Sequence, residues 1–167
     1  MMLRVMVATL IVLQAASWSA LAAQSSGDVV IGASAGGTYY CISTRCDTGT
    51  TAGIAVSFQA TPVVGVEASG RRHFCPDCDR FLMGDGAVLL QYPGRRVRPF
   101  VGGGMSYSSD PEFMGSHFGL LGATGVSIGL GDRWATRAEV RGRRVGRGDA
   151  MGELLLSLLY AVRTRSF

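Results

Sequence analysis

Between Arg133 and Val145 the chain alternates with a period of two: Trp134, Thr136, Ala138, Val140 and Gly142 share one face, while Arg133, Arg137, Glu139, Arg141 and Arg143 share the other. A helix would return to a face every third or fourth residue, so this segment is a β-strand with one apolar and one charged side. The next segment behaves alike. Leu154, Leu156, Leu158, Tyr160 and Val162 oppose Glu153, Ser157, Ala161 and Arg163. Leu155 and Leu159 interrupt that pattern, and Leu154 to Leu159 alone would also suit a buried helix. The alternating neighbour decides for strand. Such strands need an apolar medium on one side and a shielded polar interior on the other.

Weaker apolar faces run through the rest of the chain. They comprise Leu120, Thr124, Val126, Ile128 and Leu130; Val97, Val101, Met105 and Tyr107; Val88, Leu90 and Tyr92; Val64, Val66 and Ala68; Ile54, Val56 and Phe58; and Val29, Ile31, Ala33, Ala35 and Tyr39. Eight segments of about 10 to 13 residues are long enough for tilted membrane crossings. Compact turn chemistry stands at Ala60-Thr61-Pro62, Pro93-Gly94-Arg95 and Gly131-Asp132-Arg133. The stretches 40–50, 72–83, 108–117 and 144–151 read as longer, polar connectors. The fold expected is all-β, an eight-stranded antiparallel up-and-down transmembrane β-barrel. Unpaired backbone groups are not tolerated in hydrocarbon, so the first strand must close on the last. Eight strands leave an interior filled by side chains rather than a wide pore.

The first 22 residues stand apart. Arg4, the apolar run Val5 to Leu13, and Ala20 and Ala22 form a secretory signal peptide, leaving residues 23–167 as the barrel domain. No cysteine follows the expected cut, so a lipid anchor is not expected. All 16 basic residues are Arg against 12 acidic ones, and losing Arg4 lowers the formal charge from +4 to +3. No basic stripe interleaved with aromatics suggests nucleic acid, and no motif implies a cofactor.

The segments Arg98-Pro99-Phe100-Val101-Gly102-Gly103-Gly104 and Gly129-Leu130-Gly131-Asp132-Arg133-Trp134 resemble the small OmpA-like and opacity-protein-like outer-membrane barrels. The resemblance spans about residues 28 to 167. It implies both termini in the periplasm, a lipid and lipopolysaccharide environment, and no particular activity. It also implies that the assembly machinery reads the C-terminal strand ending at Phe167. One departure stands out: Phe167 is in phase with Arg163 and Arg165, whereas Tyr160 and Val162 lie on the other parity. Either a bulge shifts the register near 164–166, or Phe167 lies beyond the last paired residue.

Glu67, Arg71, Arg98, Arg137, Glu139, Arg141, Arg143, Glu153 and Arg163 are the inward candidates. Ion pairing among them would plug the lumen; a narrow selective channel is the alternative. Cys41, Cys46, Cys75 and Cys78 sit in the first two expected loops. In an exported chain, disulfides are expected, and Cys41 with Cys46 and Cys75 with Cys78 needs the least reach. A zinc site with His73 as a substitute ligand is the rival reading. A soluble lipocalin-like barrel would need the opposite lining, apolar inside. Lipid A modification would need a base beside a nucleophile, and His73 and His117, the two histidines, fall in expected loops. A structural or surface-interaction role without catalysis is therefore expected. Arg143, Arg144 and Arg147 are candidate contacts to lipopolysaccharide phosphates on the outer rim.

Overall fold

A computed structural model describes residues 27–42, 45–74, 81–94, 96–110, 115–145 and 149–162. All eight apolar segments are strands: β1 (Val29–Ile42), β2 (Arg45–Gln59), β3 (Val64–Phe74), β4 (Phe81–Gln91), β5 (Val97–Asp110), β6 (Gly115–Gly129), β7 (Trp134–Val145) and β8 (Asp149–Val162). Each pairs antiparallel with its chain neighbours, and β1 pairs with β8, so the sheet closes into a barrel. Closure gives the interstrand groups partners all the way round and removes the sheet edge. No described helix is long and apolar enough to cross a membrane, which is silent about strands.

The register sets the barrel's shape. Stepping across the ladder from Val29 through Phe58, Val66, Val88, Gly103, Gly122, Gly142 and Gly152 returns to β1 at Tyr39, a stagger of ten residues. For eight strands that stagger implies a tilt of roughly 40° and a backbone radius of about 8 Å. Ten residues of such a strand climb about 25 Å, the height of the apolar band in membrane barrels. The outward aromatics mark the band's limits. Phe58, Tyr92, Trp134 and Tyr160 lie towards one end, where the Trp134 and Tyr160 rings pack at 4.9 Å. Tyr39, Phe74, Tyr107 and Phe118 lie towards the other, where Tyr107 and Phe118 pack at 5.2 Å.

The end holding Gly27 and Val162, the inner end, also holds the connectors 60–63, 92–94 and 130–133. At the opposite, outer end the strands run further than their composition suggests. β1 and β2 continue to Ile42 and from Arg45, so the expected loop 40–50 is mostly paired strand. The expected loops 72–83, 108–117 and 144–151 likewise shrink to the intervals 75–80, 111–114 and 146–148 between strand ends. Above the apolar band a strand no longer needs greasy residues, so ladder positions such as Thr48 and Thr50 read as loop. The expected signal peptide, residues 1–22, and the terminal Arg163 and Phe167 lie outside the described residues.

Inside, the wall divides into two kinds of strand. β3, β4, β7 and β8 carry the long charged side chains. The middles of β1, β2, β5 and β6 present small ones, including Gly32, Ser34 and Gly36, Gly53, Ala55 and Ser57, and Gly102 and Gly104. In an eight-stranded ring β3 lies opposite β7 and β4 opposite β8, so the charged strands face each other across the lumen. Apolar side chains fill the rest of the lumen, with Leu89, Phe100 and Leu159 towards the inner end. Leu89 and Phe100 pack with Ala87, Leu121 and Ala123, and Leu155 and Leu159 are 0% and 4% exposed. These last two are the residues that interrupt the β8 alternation. β8 is apolar on both faces because one meets lipid and the other fills the lumen.

Candidate functional site: the lumen network and the outer rim

β7 aims Arg137, Glu139, Arg141 and Arg143 inward at successive odd positions, all buried. Because β3 lies opposite, the side chains meet partners some seventy residues away. Arg137 Nη1 donates to Glu67 Oε2 at 2.6 Å and stands 3.5 Å from Glu139 Oε2. Its guanidinium also lies 5.0 Å from the Phe100 ring centroid, a cation–π contact at the boundary with the apolar floor. Arg141 hydrogen-bonds Glu67 and Glu139, and its Nη1 reaches Asp85 Oδ2 at 3.2 Å and Ser69 Oγ at 3.3 Å. Arg143 grips Asp85 with a two-pronged fork, Nε to Oδ1 at 3.2 Å and Nη2 to Oδ2 at 2.7 Å. Its Nη1 lies 2.6 Å from Glu153 Oε2. Arg71 hydrogen-bonds Asp85 and stands 3.8 Å from the same Glu153 oxygen.

The network thus joins Arg71, Arg137, Arg141 and Arg143 to Glu67, Asp85, Glu139 and Glu153. Four cations against four anions leave these eight groups neutral as a set. That balance matters because an uncompensated charge buried away from water costs several kcal/mol. Arginine suits the task, since one planar fork can serve two or three carboxylates. Register neighbours do not dictate the partners: Arg141 is paired with Glu153 along the β7–β8 ladder, yet its guanidinium closes on Glu67, Glu139 and Asp85. At the inner end Gln91 Nε2 donates to Gln59 Oε1 at 3.1 Å, beside the apolar floor.

Seven of the nine inward candidates, Glu67, Arg71, Arg137, Glu139, Arg141, Arg143 and Glu153, are brought together here. Arg98 sits instead at the inner end, where its Nε donates to the Gly94 carbonyl at 2.9 Å; Arg163 lies outside the described residues. Two members escaped the sequence reading. Asp85 shares the odd parity of Met83, Ala87 and Leu89, opposite Val88 and Leu90, so carrying the β4 alternation three residues back finds it. His73, expected in an outer loop, belongs to β3 on the face of Glu67 and Arg71, is 2% exposed, and stacks on Phe81 at 4.7 Å. Its Nε2 stands 3.4 Å from Glu153 Oε1. His117 likewise lies on β6 rather than in a loop.

The outer rim requires a second correction. Arg143 cannot serve as a lipopolysaccharide contact, because its parity turns it into the lumen and its side chain is fully buried between Asp85 and Glu153. Arg144, one residue on, is outward and exposed. Arg147 lies outside the described residues. Cys41 and Cys46 form a disulfide between directly paired positions of β1 and β2, on the outer hairpin rather than in an open loop. That bond removes two thiolates from the rival zinc set. Cys75 and Cys78 lie outside the described residues. A lipocalin-like interior is also excluded, since this lumen holds ion pairs while Ile54, Leu120 and Leu156 face outward.

An outward apolar wall, two aromatic levels and a lumen of buried ion pairs belong to proteins that cross a membrane with strands. Its fold is that of the small outer-membrane β-barrels. Neisserial surface protein A superposes with a TM-score of 0.70 at 18% identity, covering 80% of this chain and 98% of that one. The N-terminal β-barrel domain of Pseudomonas aeruginosa OprF gives 0.65 at 14% identity, covering 82% and 100%. Ail, the attachment invasion locus protein of Yersinia pestis, in complex with the heparin analogue sucrose octasulfate, gives 0.59 at 10% identity, covering 81% and 99%. No family model and no curated protein matches the sequence. At these identities the likeness carries the fold and nothing of the chemistry.

Proposed function

We propose that this protein, exported by the signal peptide of residues 1–22, is an outer-membrane barrel with a structural or surface-interaction role. In this reading the C-terminal strand ending at Phe167 delivers it to the assembly machinery, the inner end faces the periplasm, and the lumen is a plug rather than a conduit. The observation that carries the plug is the balanced ion set spanning the lumen above an apolar floor of Leu89, Phe100 and Leu159. Transit would require breaking several buried pairs at once. What remains for function is the outer rim, where Arg144 is exposed and Arg147 follows. There the two guanidiniums neutralise phosphates of lipopolysaccharide. Ail, which shares the fold, has been seen in complex with the heparin analogue sucrose octasulfate, which supports a polyanion as the partner.

The test combines fractionation with electrophysiology. Purified outer membranes should contain the protein, its unheated band should run faster than the boiled one, and planar bilayers should show no steady conductance. A steady ohmic conductance would overturn the plug. Replacing Arg144 and Arg147 together by Gln should lower lipopolysaccharide retained on purification; unchanged retention removes the rim reading.

A further inference from the structure

A shallow, open depression of about 560 Å³ lies on the lipid-facing wall near the outer end, across β7, β8 and β1, with Tyr39, Cys41, Gly142, Arg144, Ala150 and Gly152 in its lining. Its floor is bare backbone, because Gly142 and Gly152 are paired in register and both face outward. Tyr39 is the register partner of Gly152 on β1, and Arg144 that of Ala150 on β8, so an aromatic ring and a guanidinium flank the same depression. The disulfide starts at Cys41, pinning the strand end on the cavity's outer side.

The backbone does not require glycine at either floor position. A Cβ at Gly142 would meet nothing within 4 Å, and one at Gly152 only the Tyr39 carbonyl oxygen, at 3.9 Å. Gly36 and Gly104 differ, since a Cβ there would overlap the backbone of the adjoining strand. The surrounding outward positions carry Val140, Leu154 and Leu156. A depression on this wall is therefore left open by side-chain choice rather than imposed by packing. At this height, beside the outer aromatic level, the medium that reaches it is the outer leaflet: hydrocarbon below and headgroups above. The cation at its mouth selects a negative headgroup.

We infer that this cavity seats one acyl chain of an anionic outer-leaflet glycolipid whose phosphate pairs with Arg144. The inference rests on the outer-membrane reading above, and adds a shape-selective seat to the rim's charge. The chain lies against the Gly142–Gly152 floor with Tyr39 along its flank, while the phosphate stays at headgroup level.

Three proteins test it: wild type, the double variant Gly142→Val with Gly152→Val, and Arg144→Gln. Each is purified in mild detergent and titrated in native mass spectrometry with bisphosphorylated lipid A, with the same lipid stripped of phosphate, and with phosphatidylcholine. The valine variant should lose at least fivefold in affinity for both forms of lipid A. Arg144→Gln should lose as much for the phosphorylated form and nothing for the stripped one. Mobility on an unheated gel checks that each barrel has closed; if the valine variant does not close, Gly142→Ala with Gly152→Ala takes its place, with a loss of at least twofold expected. Wild-type affinity in a closed cavity-filled variant overturns the inference. If Arg144→Gln alone loses affinity, the rim contact stands and the cavity falls; if neither variant does, both fall. A cavity-filled variant that changes only self-association would make this face an interface between copies, which also overturns the inference.

Discussion

The two kinds of lumen wall do opposite work within one barrel. On β3, β4, β7 and β8 the interior is built by large side chains that reach across the axis, and along the middles of β1, β2, β5 and β6 mostly by small ones, with Phe100 and Leu121 as exceptions. Gly53 shows how closely the two are fitted: a Cβ there would overlap the Gly70 carbonyl and come within 2.5 Å of Arg71 Cγ. The ion network is therefore a property of the whole ring. Charged strands supply the groups, and small strands supply the room in which four guanidiniums meet four carboxylates.

The heaviest blow to that arrangement should come from the charged half. Arg141 serves three carboxylates, so Arg141→Met leaves Glu67, Glu139 and Asp85 short of one cation and should cost about 3–5 kcal/mol. Urea unfolding of the barrel in lipid vesicles, followed by tryptophan fluorescence, reads this directly. A loss below about 1 kcal/mol would mean that the remaining arginines re-pair freely and the network is not specific. The small half should answer next: Gly104→Ala places a methyl on the backbone of Gly86 and Ala87 and should cost about 1–3 kcal/mol in the same assay. Tolerance there would show that the small strands have slack. The contrast sharpens at the bottom of the scale with Gly142→Ala, whose new methyl points into open space on the outer wall and should change stability by no more than about 0.5 kcal/mol. A large effect would place a backbone requirement where none is visible.

Much of this architecture could be read in advance, and the residues say why. Period two is local, so the charged faces of β7 and β8 follow from spacing alone, and the strand count and closure follow from backbone accounting. Legibility failed where a strand left the lipid band. Once greasy outward residues were no longer needed, the strand ends read as loop, which hid His73 and assigned Cys41 and Cys46 to a loop they do not occupy. It failed again where a lumen position is apolar. Leu155 and Leu159 looked like noise in a polar face because nothing in the spacing says that these two lumen positions are apolar, yet both are buried.

Arg143 and Arg144 draw the line between the two sources of information. The sequence by itself determined that they lie on opposite faces of one strand, because alternation is a property of the backbone. Only the tertiary structure decided that Arg143 finds Asp85 on β4, 58 residues earlier in the chain, while Arg144 flanks an outward depression beside Tyr39 of β1. Those partners are set by the ten-residue stagger with which the ring closes. Stagger belongs to all eight strands at once and is written in none of them singly.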